Sequence, residues 1–267
     1  MDRMEQRAFD AVVRVLAGIA LLILTAPTVI VIITSFTDGN TLKFPPSSYS
    51  LRWYVELLES TQLQRVTIRS LWIAAIATLV ATVLGTAAAL AIARSKAGWA
   101  RALDALFMSP LIVPWIAIGL SILMFLNLMG VPLSPFTLIA GHVIICIPFV
   151  MRTTIASLLQ LPASLLESSA SLGAGKFYSF RRITLPLISR GIGAGAFLSF
   201  IASFDNVPIS LFLADARSQV LPIRMWQMLQ ADLDVRVASI SAVLIVLTLI
   251  VMTVMERMVG LSRQMVR

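Results

Sequence analysis

Six apolar runs punctuate the chain, at about residues 15–36, 71–93, 105–127, 135–151, 191–213 and 238–259. A helix crossing a hydrocarbon core about 30 Å thick needs about 20 apolar residues, so each run reads as one membrane span. The pattern therefore predicts an all-α membrane protein with six transmembrane helices in a single domain over 1–267. Pro27, Pro110, Pro114 and Pro148 fall inside these runs and are expected to kink their helices rather than end them, as membrane bundles tolerate. Val15 to Phe36 is too long for a signal-peptide core, and no small-x-small cleavage site follows it before Thr37, so it is expected to stay as an anchor.

Composition agrees with that pattern: 58% of the 267 residues are hydrophobic and 13% are charged. A soluble fold of this length would need a charged shell that these residues cannot supply. The formal net charge of +8 could suggest nucleic-acid binding, but the basic residues are scattered over short flanks instead of forming one stripe, which argues against a nucleic-acid partner. Their distribution orients the chain. With the N-terminus inside, 14 of the 21 Lys and Arg lie on the cytoplasmic side, Arg94, Lys96, Arg263 and Arg267 among them. Lys43, Arg52, Arg65, Arg69, Arg217, Arg224 and Arg236 lie outside. Both termini are expected in the cytoplasm.

Between the first two spans, Pro45-Pro46 sets an extended stretch, and Ser50 is placed to cap a short amphipathic helix. Trp53 and Tyr54 on that helix suit the headgroup level. The longest cytoplasmic connection, 152–190, lies between spans four and five. Its Pro162 opens a helix with an apolar stripe of Leu165, Leu166 and Ala170, and Gly173 ends it as a left-handed cap. A second short helix is expected from about Lys176. Exposed Phe177, Tyr178 and Phe180 would let this hairpin dock into a groove of a soluble partner.

Within that connection Glu167, Gly173, Ile183, Leu185 and Pro186 stand at the spacing of the cytoplasmic signature of bacterial ABC importer permeases, which the chain therefore resembles. The signature's two alanines are Ser168 and Ser169 here, still small enough for close helix packing. The resemblance implies a type I importer permease fold whose coupling helix, from Glu167 to about Phe180, seats on a cytoplasmic ATPase subunit. The chain itself has no G-x-x-x-x-G-K-S/T loop to cradle phosphates, so ATP would be bound and hydrolysed by another chain, and the permease is expected not to be an enzyme. Gly191 and Gly195 open span five at a spacing suited to close helix packing.

Further along, Ser203, Phe204 and Asp205, followed by Leu221 and Pro222, are similar to the fifth span of spermidine/putrescine-type permeases. The first outer loop looks like theirs too. That resemblance implies import of a small organic cation by alternating access in a bacterial inner membrane. It also implies a solute-binding protein outside, a second similar permease as partner, and membrane lipid around both. An aminophosphonate, an opine or an iron complex is the alternative cargo.

Asp205, about 21 Å along its helix from Gly191, is the one acidic residue deep in a span. Two roles stand open for it. It can mark the substrate pathway, with Ser203, Phe204 and Asn206, or it can join Asn206 in capping a helix restarted near Pro208. Trp115 either packs in the core or lines the pathway for a cation. His142 is expected to make an interhelical hydrogen bond. One histidine and one cysteine leave no metal site, and no cofactor is implied. A more distant alternative is an intramembrane enzyme pairing His142 with Ser109 or Ser203.

Overall fold

The computed structural model describes residues 3–93, 95, 97–215 and 218–259. Arg94, Lys96, Arg217, Arg263 and Arg267, used above for orientation, lie outside these. Among the described residues five helices are long and apolar enough to cross a membrane, and the number is six when one bent pair is counted as a single span. The helices are α1 (Arg3–Thr34), α2 (Arg52–Glu59), α3 (Thr61–Ile92), α4 (Gly98–Ile112), α5 (Trp115–Leu128), α6 (Pro135–Leu159), α7 (Ala163–Ser171), α8 (Lys176–Ser179), α9 (Leu185–Phe204), α10 (Val207–Leu213), α11 (Leu221–Asp232) and α12 (Val235–Val259).

Two compact units are formed, Met1–Gln64 with Gln227–Met255, and Arg65–Trp226 with Glu256–Arg267. In the first, polar contacts tie the outer loop to the start of α12. Arg236 bridges Glu56 at 3.0 Å and Asp234 at 2.5 Å, and the Ser239 hydroxyl donates to the Ser35 carbonyl at 3.1 Å. The short helix α2 begins after Leu51, one residue later than a Ser50 cap would place it. Trp53 and Tyr54 both take polar partners within the protein. The Trp53 indole is buried and donates to the Gly39 carbonyl at 3.2 Å, while the Tyr54 hydroxyl meets Ser35 Oγ at 2.6 Å, so both serve to fix the outer loop.

The second unit is built around α6, whose buried positions run from Leu138 to Leu158. Its start is well specified. Ser134 caps it in a capping box with Thr137, and Pro135 stands in the first turn, where its missing N–H leaves nothing unpaired. Helix α9 lies along α6 at backbone-contact distance. A Cβ on Gly191 would stand 2.7 Å from the Thr153 carbonyl oxygen, and one on Gly195 would stand 2.6 Å from Val150 Cα. Reciprocal bonds add to this contact, with Ser199 Oγ donating to the Cys146 carbonyl at 3.0 Å and Cys146 Sγ to the Ser199 carbonyl at 3.3 Å. Helix α3 approaches the same helix at Gly85, where a Cβ would sit 3.0 Å from the Ile147 carbonyl oxygen.

Span three departs from expectation at Pro114. Instead of a kinked helix there are two, α4 and α5, meeting at 108°. Proline disfavours the helical conformation for the residue before it. Val113 is accordingly extended, at φ −76° and ψ 135°, and Pro114 opens α5. The indole of Trp115 spans the corner by donating to the Pro110 carbonyl at 2.9 Å.

The predicted connection 152–190 is largely helical. Helix α6 extends to Leu159, and the chain from Lys176 to Phe204 is helical throughout, through a π-helical turn at Phe180–Thr184. Only α7 and its flanking turns lie between. The cause is that neither end of the connection carries a helix stop, whereas Pro162 and Gly173 bracket α7.

The glycine contacts give a direct test of what holds this unit. Gly195→Leu is expected to lower stability by about 2 kcal/mol or more, because the side chain meets backbone that cannot yield. Gly193→Ala, whose added Cβ would meet nothing within 4 Å, is expected to stay within about 0.5 kcal/mol of wild type. Equilibrium unfolding of the purified protein in mixed micelles measures both.

Candidate functional site

The predicted span 191–213 is divided between α9 and α10, and the residues singled out from the sequence gather at that break. Asp205 ends α9, its N–H donating to the Ile201 carbonyl at 3.1 Å. Asn206 caps α10, its side-chain Oδ1 accepting from the Ile209 N–H at 2.8 Å, with Pro208 in the first turn. Of the two roles left open by the sequence, the cap falls to Asn206. Asn206 is 1% exposed and does the capping. The Asp205 carboxylate is exposed and has no hydrogen bond or ion pair among the described residues.

His142 of α6 spans the break. Its Nδ1 lies 2.7 Å from Ser203 Oγ in the last turn of α9, and its Nε2 lies 3.1 Å from Ser210 Oγ in α10. In a neutral imidazole one nitrogen donates and the other accepts, and a serine hydroxyl can complement either. Burial of all three groups makes these bonds count, since each unpaired one would carry a desolvation cost. The same arrangement bears on a His142–Ser203 nucleophile. Ser203 is 2% exposed, and the far ring nitrogen meets a hydroxyl where a catalytic histidine would need a carboxylate to orient it.

One buried donor near the break stays unpaired, the Asn206 Nδ2. Phe204 stacks on Phe200 at 6.0 Å between centroids, and Trp115 packs against the cluster that contains Ile209 and Leu213. Helix α5 touches α10 closely at Gly119, where a Cβ would stand 3.0 Å from the Pro208 carbonyl oxygen. Ser210 and Ser199 were not singled out from the sequence. Ser203 and Ser210 sit on separate helices, so no helical spacing in the sequence links Ser210 to His142.

At the other end of the unit, α7 and α8 form a hairpin closed by Gly173. Its φ of +80° places it in the left-handed region, where glycine is favoured. The Gly173 N–H bonds the Ala170 carbonyl at 2.9 Å and the Ala174 N–H bonds the Ser169 carbonyl at 3.1 Å, the paired bonds of a Schellman ending. Ser169, the second departure from the alanine pair, is buried, and its hydroxyl meets Ser179 Oγ at 2.7 Å. That bond clamps α7 to α8. Ser168 and Glu167 are exposed, and Leu172, Phe177 and Tyr178 are 88%, 75% and 59% exposed. Ile183 and Leu185 are half-buried in the rise to α9, with Pro186 exposed in its first turn.

Known proteins resemble the chain over most of its length. It is 28% identical over 224 residues to the spermidine/putrescine transport system permease protein PotC of Escherichia coli strain K12, covering 84% of each chain. To the putrescine transport system permease protein PotI of the same strain it is 28% identical over 229 residues, covering 83% of this chain and 81% of that one. Its fold matches a bacterial ABC transporter involved in import of the acidic polysaccharide alginate, with a TM-score of 0.72, 16% identity and 96% of each chain covered. Residues 81–267 match the model of the binding-protein-dependent transport system inner membrane component family, to which the chain belongs as an inner-membrane permease of an ABC importer.

Proposed function

We propose that this permease carries a polyamine, spermidine or putrescine, into the cell by alternating access. In this reading the whole chain acts as one permease domain beside a second, similar permease subunit, receives its cargo from a solute-binding protein outside, and is driven by ATPase subunits that hydrolyse ATP. The observation that carries the cargo reading is the Asp205 carboxylate, exposed and unpaired at a helix break within a span. A carboxylate at that depth is expected to face an aqueous cavity, and broken helices present charge and free backbone groups to substrate. An ammonium group suits it. The names of the PotC and PotI relatives support the same cargo class, and Ser203, Phe204, Asn206 and Trp115 supply the surrounding wall.

The α7–α8 hairpin is the proposed ATPase contact, from Glu167, Ser168 and Ser169 through Gly173, Phe177 and Tyr178 to the footing at Ile183, Leu185 and Pro186. Two exposed aromatics and Leu172 on a clamped hairpin form a compact apolar knob suited to a groove.

Replacing Asp205 by Asn keeps the shape and removes the charge. Uptake of labelled putrescine by the assembled importer is expected to fall at least about tenfold, and undiminished uptake would remove the carboxylate from the cargo site. Converting both Phe177 and Tyr178 to Ala is expected to weaken ATPase association by about thirtyfold or more, the loss of one good interfacial anchor. Copurification and cargo-stimulated ATP hydrolysis measure that loss, and wild-type coupling in the variant would place the contact elsewhere.

A further inference from the structure

At the outer end of α3 a groove of about 440 Å³ is lined by Arg65, Ile68, Arg69, Trp72 and Pro135. Arg65 and Arg69 are one helical turn apart on the same side of α3, so their guanidinium groups can converge on one anion. Neither has a carboxylate or other hydrogen-bond partner among the described residues. These charges would repel a polyamine at this entrance. They call for an anion instead.

The rest of the groove says which anion. Ile68 and Trp72 are exposed, and the same lane of the helix continues through exposed Leu79 and Val83, all four within about 60° of one another at 100° per residue. From Ile68 to Val83 that lane is about 22 Å long, enough to cover the hydrocarbon half-thickness of about 15 Å. A tryptophan at its upper end is the residue expected at a membrane interface. A small water-borne anion would use the two arginines and leave this lane bare, whereas a phospholipid uses both.

We propose that this face of α3 holds an anionic phospholipid of the outer leaflet, its phosphate between Arg65 and Arg69 and an acyl chain along Trp72 and the lane below. The site is independent of the cargo reading, since nothing in it involves Asp205 or the helix break. It lies on the opposite side of the membrane from the α7–α8 hairpin.

The test uses the complete importer reconstituted in bilayers of equal phosphatidylglycerol and phosphatidylcholine, then released into mild detergent for native mass spectrometry. Wild type is expected to retain one phosphatidylglycerol per copy of this chain, with a preference over phosphatidylcholine on the order of tenfold. R65Q/R69Q is expected to fall to parity, while R101Q, on the cytoplasmic side, keeps the preference. Trp72→Ala, which leaves both charges in place, is expected to weaken retention of either lipid without changing their ratio. Parity in wild type, or a preference that survives R65Q/R69Q, would overturn the site. Displacement of the lipid by excess inorganic phosphate would equally overturn it in favour of a small-anion site.

Discussion

The close approach of α9 to α6 is the constraint on which the second unit depends. In lipid, apolar helix faces gain nothing by leaving one solvent for another of the same polarity, so association needs van der Waals contact at short range and hydrogen bonds between helices. Gly191 and Gly195 provide the first, letting α9 settle against the backbone of Val150 and Thr153. The reciprocal Cys146 and Ser199 bonds provide the second. Helices α3, α5 and α10 then join through glycines of their own or of their neighbours, at Gly85, Gly119 and Gly141. Branched side chains at these points would hold the backbones apart and leave the polar pairs out of reach.

Once α9 is fixed, its break becomes tolerable. Unwinding a span frees backbone groups that lipid cannot satisfy, and such breaks survive only where protein or water takes them up. Asn206 takes up the Ile209 N–H in the first turn of α10, and His142 holds the serines on either side of the gap, so the break is anchored to α6 from both directions. Because Asn206 performs the capping, Asp205 is left with a free carboxylate. That charge is exposed at the break without being needed to hold the fold.

Much of this was legible in the sequence. Apolar run length located every long helix, and the spacing of Gly191 and Gly195 marked a close helix contact without naming α6 as the partner. Pro162 and Gly173 marked the ends of α7 through backbone chemistry that needs no tertiary partner. What stayed hidden depends on partners distant in sequence. His142 was expected to bond another helix, and Ser203 was weighed as its partner, but nothing marked Ser210, 68 residues away. Trp53 looks the same whether it faces headgroups or bonds the Gly39 carbonyl. Pro114 was readable in kind but not in degree, since a proline that kinks a span and one that divides it differ only in what the surrounding helices demand.

The continuity of Lys176 to Phe204 changes how the two ends of the unit relate. A helical stretch of 29 residues is about 43 Å long at a rise of about 1.5 Å per residue. One end is clamped to α7 by the Ser169–Ser179 hydroxyl pair, and the other stops at Asp205. A loop between them would absorb displacement as local flexing, but a continuous helix packed on α6 over much of its length passes it on as rotation or sliding. The departure from α-helical geometry along that rod is the π-helical turn at Phe180–Thr184, a geometry that often marks functional positions in helices. It lies directly between the hairpin and the membrane portion, so under the proposed coupling it is the place where a push from the ATPase side would be converted into a change of angle at the helix break.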